Sequence, residues 1–351
     1  MTKREIQLRT LNGEDTGRMP VTPHWWGLYK FELAGLLADY STEDKAWGIG
    51  GEDLARIEEA FYEAFDPDMF HLTAGPSRTV EDPATFREKT RILEAVRALE
   101  SRSVIDEYVD AFYPDKETIL RSGVFDHIRI LADKYGGSVL LVLNEGNPIC
   151  NVLDPHGCLG FEDGLIALKE QPERVAYLLE RAYLAMLPRI EALKACGGDG
   201  YIGSETYCSA DLIDPRTYRA VIFDAQQAFY KAVDHMGIVP ITYFLGDVNP
   251  LLDSLCKLGA KGLMVEESKK GILLDVGDIH RRLEGRMTLF GNLDSVGVLQ
   301  MGSVDEVVEE TRRQIQACQG GGFVMANGCP ISFSTPRENI RAMIRTAREA
   351  D

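Results

Sequence analysis

The sequence predicts an α/β protein built as a (β/α)8 TIM barrel, with an insertion after the second strand. Three observations carry that expectation. Short β-branched or apolar runs recur with amphipathic helical stretches between them, the alternation of a parallel sheet covered by helices. There are eight such runs, the strand count of that barrel. Several end in side chains able to do polar chemistry, and a barrel of this kind gathers the carboxyl ends of its strands on the face where active sites lie.

Element by element, the runs fall at 20–26, 68–73, 138–145, 200–205, 240–247, 262–267, 287–294 and 322–329. The helices between them carry start and stop signals. Ser303 with Glu306, and Thr335 with Glu338, have capping-box spacing. Asp214 sets a cap residue ahead of Pro215 at the first helical position, and Gly237 ends the apolar-striped stretch that follows. Pro188 lies inside an apolar helix that begins near Pro172, which predicts a kink there rather than two helices. The clusters Gly197-Gly198 and Gly320-Gly321-Gly322 fall between helix and strand, as helix stops. The segment 74–137 is too long for one crossover helix; it has a charged helical part at 86–100 and a β-like stretch at 103–109, and is expected to cap the barrel mouth. No linker or break in composition flanks it, so residues 1–351 read as one domain carrying an insertion.

With 351 residues, 45% of them hydrophobic, the chain can bury a large core, which excludes disorder and small stapled scaffolds. Its 55 acidic and 38 basic residues leave a charge of −17, which repels phosphate backbones and anionic lipid headgroups, so neither nucleic acid nor a membrane is an expected partner. No apolar run approaches the roughly 20 residues of a membrane span, and the first residues lack a signal peptide's apolar stretch, which points to a cytoplasmic location. Seven cysteines, an odd number without a C-x-x-C pair, argue against a disulfide framework or a zinc finger.

Dinucleotide, P-loop, zincin and nucleophile-elbow motifs are all missing. What remains is the set of strand-end groups, among them Asn144, Glu145, Glu205, Asp247, Glu266, Glu267, Asn292, Asn327 and Cys329, and an aromatic stretch from Pro23 to Tyr29. His24, Trp25, Trp26 and Tyr29 at a barrel mouth suit a flat, mostly apolar ligand with a few polar anchors. The alternative is that the two tryptophans pack beneath the insertion and His24 is a core histidine. His71, His127, His156, His235 and His280 are read as structural.

At this point the chain resembles a known family, the uroporphyrinogen decarboxylase superfamily, which also contains zinc-dependent methyltransferases that exchange methyl groups with a corrinoid protein or a thiol. The resemblance is carried by Arg18-Met19-Pro20-Val21, Gly160-Phe161-Glu162, Asp214-Pro215, Leu289-Phe290-Gly291-Asn292-Leu293-Asp294, Asn327-Gly328-Cys329-Pro330 and Thr335-Pro336-Arg337-Glu338-Asn339. The superfamily's fold is the barrel already expected. Its decarboxylases have, after the first strand, an arginine-bearing stretch that holds porphyrinogen carboxylates; here Trp26-Gly27-Leu28-Tyr29-Lys30-Phe31 stands in that place. Each charged hydrogen bond lost to such a substrate would cost about 1.5 to 3 kcal/mol, so the methyltransferase branch is the better match.

That branch implies a zinc held by His-x-Cys after the fifth strand, often a Glu after the sixth, and a Cys after the eighth. Glu266 and Cys329 match, whereas Tyr243 and Leu245 stand where the His and first Cys belong. Glu205 or Asp247 is then the candidate third ligand, with Cys208 in reserve, and an oxygen-rich zinc suits polarising an ether oxygen. The resulting expectation is a methyltransferase moving a methyl group from a small methoxylated, aromatic compound to the cobalt of a separate corrinoid protein, assisted by zinc. In it Glu266, Cys329 and Glu205 hold the metal. Asp247, Tyr243 and Glu205 are catalytic, with Asp247 as general acid and Tyr243 as hydrogen-bond donor to the leaving oxygen. His24, Trp25, Trp26, Tyr29, Tyr207 and Asn292 contact the substrate. Other readings stay open: no metal, with Glu266 and Glu267 paired to Lys269 and Lys270; a lyase decarboxylating a smaller acid; or a non-catalytic corrinoid- or tetrapyrrole-binding module. A homodimer is what the decarboxylase resemblance implies.

Overall fold

The computed structural model describes residues 1–25, 28–36, 49–79 and 81–350. Among these residues seven parallel strands lie side by side in chain order: β1 (Met69–Leu72), β2 (Leu140–Gly146), β3 (Gly200–Glu205), β4 (Val239–Phe244), β5 (Gly262–Val265), β6 (Thr288–Phe290) and β7 (Phe323–Val324). Each is followed by helical structure that carries the chain back to start the next, as parallel pairing requires. Every neighbouring pair is in parallel register, for example Met69 with Leu140 and Gly200 with Val239. The result is a curled, open sheet flanked by helices. Among the described residues no helix is long and apolar enough to cross a membrane.

The eighth strand expected at 20–26 is a single-residue bridge instead. Val21 pairs in parallel with Met325, the Met325 N–H donating to Pro20 O at 2.8 Å and the Thr22 N–H to Met325 O at 2.9 Å. On its other side the Asp68 N–H donates to Val21 O at 3.0 Å, and the buried Asp68 carboxylate accepts from the Val21 N–H at 2.9 Å and from Arg18 at 2.6 Å. Pro20 and Pro23 flank this point and have no N–H to offer a ladder, so pairing stops within a residue or two.

Because both faces of the sheet are covered, alternate strand residues enter two different cores. Met69, Leu140, Val142, Ile202, Ile241, Tyr243, Met264, Phe290 and Val324 pack together inside the curl. Their neighbours Phe70, Leu141, Leu143, Tyr201, Phe244, Leu263, Val265, Leu289 and Phe323 pack in the layer shared with the helices. Leu8 and Leu11 of the amino-terminal helix (Lys3–Leu11) join the inner core, and Thr288 Oγ1 donates to Thr10 O at 2.7 Å, which closes the end opposite the strands' carboxyl termini.

This alternation puts Glu205 outside. It has the parity of Tyr201, so its carboxylate enters the helix layer, fully buried. There it accepts from Asn147 Nδ2, from Tyr230 OH at 2.9 Å, Gln226 Nε2 at 2.7 Å and Tyr183 OH at 3.2 Å. Gly203, also on the outer face, leaves the space: a Cβ there would come within 2.4 Å of both Asn147 Nδ2 and Tyr230 OH. Burial pushes the Glu205 carboxyl up to about 7, against four hydrogen bonds that lower it.

Several local expectations change. The β-like stretch at 103–109 is helix (Arg102–Phe112): Ser101 caps it and its apolar residues Ile105, Tyr108 and Val109 face one side, a helical rather than an alternating period. It belongs to a run of helices, Pro83–Val96, Arg102–Phe112, Lys116–Ser122 and Asp126–Tyr135, between β1 and β2. The expected kink at Pro188 is a break at Met186 between helices Pro172–Ala185 and Leu187–Ala195, although Met186 keeps right-handed angles. The capping box of Ser303 and Glu306 forms, whereas Thr335 does not cap: its helix starts at Arg337 behind Pro336, and Thr335 Oγ1 is buried without a partner.

Glu205→Ala should cost at least about 3 kcal/mol of stability, since it strands two amides and two phenols that lose their shared acceptor. Urea denaturation checks this; a loss under 1 kcal/mol, roughly that of a surface substitution, would contradict it.

Candidate functional site

A cavity of about 330 Å³ opens at the carboxyl ends of the strands. Asn144 from β2 and Ser204 from β3 line one side; Tyr243 from β4, Leu245 just beyond it, Glu266 and Lys269 after β5, and Cys329 after β7 line the other. Asn144, Ser204, Tyr243 and Glu266 all share the inward parity of their strands.

The charged side is held from behind. After β5 the chain makes a tight turn in which the Ile272 N–H donates to Lys269 O at 2.9 Å, with Lys270 and Gly271 both left-handed at φ 54° and 78°. The buried Asn292 amide donates to Glu266 O at 3.1 Å and to Leu274 O at 2.7 Å, tying down both ends of that loop. Across from it, Glu267 accepts the Cys329 N–H at 2.8 Å, and Asn327 and Ser295 donate to Cys329 O. Gly328 packs so closely that an added Cβ would lie 2.4 Å from Glu267 N and from its Oε2.

Lys269 then joins the parts: its Nζ lies 3.0 Å from Glu266 Oε1, 3.7 Å from Glu267 Oε1 and 2.9 Å from Cys329 Sγ. Burial works to lower the Lys269 pKa, but the bonds to Cys329 and Glu266 outweigh it and hold the ammonium above its ordinary range. Burial pushes the Cys329 thiol up to about 11, so it is a protonated thiol at neutral pH.

Beneath the cavity lies a polar stack. Ser204 Oγ donates to Asn144 Oδ1 at 2.8 Å, and Asn144 Nδ2 donates to His71 Nε2 at 2.8 Å. The His71 ring stacks on His24 with centroids 4.7 Å apart. His24 Nδ1 donates to Gly328 O at 2.9 Å, and Tyr243 OH donates to the same carbonyl at 3.2 Å. Burial lowers both imidazoles, His24 to about 4, so they are neutral.

The structure brings Glu266, Tyr243 and Cys329 together at this mouth and places the other sequence candidates elsewhere. Glu205 lies in the helix layer for the reason of parity given above. Asp247 caps its own loop, accepting from Asn249 N and Nδ2 at 3.0 Å each, because the chain has turned away after Leu245 at Gly246 (φ 91°). Trp25 is buried against Phe61 with the Lys30 ammonium 3.9 Å above its ring, and Tyr29 is buried in the same core cluster. Lys30 in turn forms a buried ion pair with Glu58 at 2.7 Å. Tyr207 donates to Asp154 at 2.9 Å, outside the cavity lining. Asn292 braces the loop after β5, and His24 sits under Gly328, neither one on the cavity surface. Trp26 falls outside the described residues. Residue-type reasoning missed His71, Asn144 and Ser204 as a connected stack, and the contact of Lys269 with Cys329. Counting every second residue back from the strand ends would have found the first three.

The donor set does not fit a catalytic zinc, which takes three protein ligands at about 2.0 to 2.3 Å. Leu245 offers no lone pair, Tyr243 OH is spent on Gly328 O, Glu205 faces the helices, and His24, whose Nε2 is buried without a hydrogen-bond partner, does not line the cavity. Among the described residues no group of three or more His, Cys, Asp or Glu side chains is arranged to hold a metal ion.

With this geometry in place, likeness to known proteins becomes informative. The uroporphyrinogen decarboxylase (URO-D) family pattern matches residues 88–350. A methylcobamide:CoM methyltransferase MtaA of Methanosarcina barkeri is 27% identical over 226 residues, 64% of this chain and 63% of that relative. A uroporphyrinogen decarboxylase of Coxiella burnetii is 25% identical over 235 residues, 65% of this chain and 62% of the relative. The match thus spans less than two thirds of either relative's length. A solved methyltransferase from Methanosarcina mazei covers 99% of both chains with a TM-score of 0.74 at 21% identity, a likeness of fold.

Two outcomes follow from the packing. Gly328→Ala should destabilise by about 1 to 3 kcal/mol, the usual cost of overpacking, and displace Cys329 from Lys269; an unchanged denaturation midpoint would contradict this. Acid should also work against the three buried imidazoles. His24, His71 and His127 are held by burial below their ordinary 6.5, two of them at about 4, so their contribution is complete above 6.5 and is lost as pH falls toward 4. Glu205, raised to about 7, acts in the opposite sense, as do Glu58, Asp68 and Asp199, whose carboxyls burial also raises. Replacing one imidazole isolates its share: the urea midpoint of His127→Phe should fall less between about pH 7 and about pH 5 than that of the wild-type chain, and an equal fall would contradict this.

Proposed function

Because the chain belongs to the uroporphyrinogen decarboxylase family, we propose that it is a methyltransferase that moves a methyl group from a small methoxylated, aromatic compound to the cobalt of a corrinoid carried by a separate protein. The observation that carries this reading is the cavity at the strand ends. At about 330 Å³ it lies at the low end of the range for small-molecule sites, room for one substituted ring and not for four linked pyrroles with eight carboxylate arms. Its charged corner carries one lysine beside two glutamates, where a polyanion would need a set of cations.

Names of relatives support the same branch: the MtaA protein of M. barkeri is a methylcobamide:CoM methyltransferase, and corrinoid-related methyl transfer is the common ground. In the reading put forward here, Tyr243 and Leu245 form the apolar wall against the ring, Asn144 and Ser204 anchor polar substituents, and the methoxy oxygen points to the corner of Glu266, Lys269 and Cys329. As the methyl group departs toward the corrinoid, the bonding pair stays on that oxygen and negative charge grows there, so a fixed positive group in a site partly shielded from water is what lowers the barrier. The corrinoid approaches over the mouth on its own protein.

The test is purified chain with a reduced corrinoid protein and a panel of methoxylated aromatics, following the corrinoid absorbance. Methylation of the corrinoid with release of the phenol is expected, and Cys329→Ala should lower the rate by about 10²-fold, the scale of losing one positioned group at the reacting oxygen. Carbon dioxide released from an acid substrate without any corrinoid would instead identify a lyase and refute the proposal.

A further inference from the structure

We infer that the Lys269 ammonium is the site's built-in cation, holding together the groups that a metal ion would otherwise gather and meeting the leaving oxygen itself. This deepens the methyl-transfer reading and rests on it for the reaction, while its claim about the cation stands on geometry alone.

The first argument is occupancy. Glu266 Oε1 and Cys329 Sγ come from different loops, yet both lie within 3.0 Å of one nitrogen, with Glu267 Oε1 at 3.7 Å. Two of the ammonium's three N–H donors go to Glu266 Oε1 and Cys329 Sγ, Glu267 Oε1 at 3.7 Å is close enough for charge attraction but not for a hydrogen bond, and the third donor is left for a ligand. A zinc ion at the same point would need those donors drawn in to about 2.0 to 2.3 Å, closer than they can come with the lysine between them.

The second is construction. Lys269 is not a wandering surface side chain: it opens the turn whose centre is the left-handed pair Lys270 and Gly271, and Asn292 fastens the loop to the strand behind it. Both glutamates are nearly buried, at 4% and 7% exposure, and a buried carboxylate without a partner is costly, so removing the lysine leaves a site that wants a cation. The lysine side chain keeps 32% of its surface exposed and borders the cavity, so the ammonium can reach a ligand.

The third is the chemistry it supplies. The bond between methyl carbon and oxygen breaks, the methyl group goes to the corrinoid substrate without the bonding pair, and the oxygen keeps that pair as an anion. Lys269 holds that anion by a charge-assisted hydrogen bond, and the oxygen takes a proton from water as the product leaves. Lys269 and a metal are therefore alternatives, and one predicts the absence of the other.

Zinc titration of the purified chain in competition with a chromophoric chelator tests this without any turnover. Wild-type protein should take up no more zinc than Glu266→Gln or Cys329→Ala, while Lys269→Ala, with its donors released, should bind zinc at least tenfold more tightly than wild type. Lys269→Met, closer in volume, keeps the test valid if the alanine variant folds poorly. In the methyl-transfer assay wild-type activity should survive a chelator, Lys269→Met should lose about 10²-fold, and Lys269→Arg should recover part of it. One zinc per wild-type chain that disappears in Cys329→Ala would overturn the inference, as would folded Lys269 variants that gain no zinc affinity. If the zinc results hold and no methyl transfer is found with any donor, the reaction is wrong and the cation stands.

Discussion

A parallel strand covered on both faces has no solvated side, so each residue's parity decides which of two cores it enters, and the rest of this molecule follows from that constraint. Inward residues build a narrow apolar column topped by polar groups at the strand ends. Outward residues meet helices. Glu205 and Ser204 are adjacent in sequence and end in different chemistry for this reason alone: one is clamped by four donors in the helix layer, the other faces the cavity.

The cavity's charged corner depends on the same geometry. Glu266 is an inward residue at the end of β5, and Glu267, next in the chain, points back to fix the Cys329 amide. Two carboxylates at one mouth need a positive charge to stay there, because partial removal from water makes their mutual repulsion stronger. Lys269 meets that need from three residues along the same loop, an economical solution that requires only the turn at Lys270 and Gly271.

Around this corner the protein uses neutral groups. The stacked imidazoles of His24 and His71 are uncharged, and through Gly328 O and Asn144 they connect the loop bearing Cys329 to β2. This neutral, hydrogen-bonded floor places no charge beside the lysine from below. The bridge at Val21 serves the same end, since His24 lies three residues beyond it and its backbone is held by the Asn327 side chain at 2.9 and 2.8 Å.

Much of the fold was legible in the sequence. All of the apolar runs appear as strands or, at Val21, as a bridge, and the caps at Ser303 and Asp214 form as their spacing requires, because strand alternation and capping are local in origin. Glu266 and Cys329 were also legible as strand-end groups, and they do meet. What residue types alone did not reveal was direction: Asp247 turns away after Gly246, Trp25 goes under the mouth rather than into it, and Glu205 is one residue out of phase. Nor did they reveal that Lys269 stands between the supposed metal ligands, since a lysine beside two glutamates has the same local pattern whether it is solvated on the rim or bonded to a thiol 60 residues later. The order of elements is set by short-range preferences written along the chain. The contact of two loops from distant strands is set only when the curled sheet brings their ends to one place, and that decision belongs to the tertiary structure.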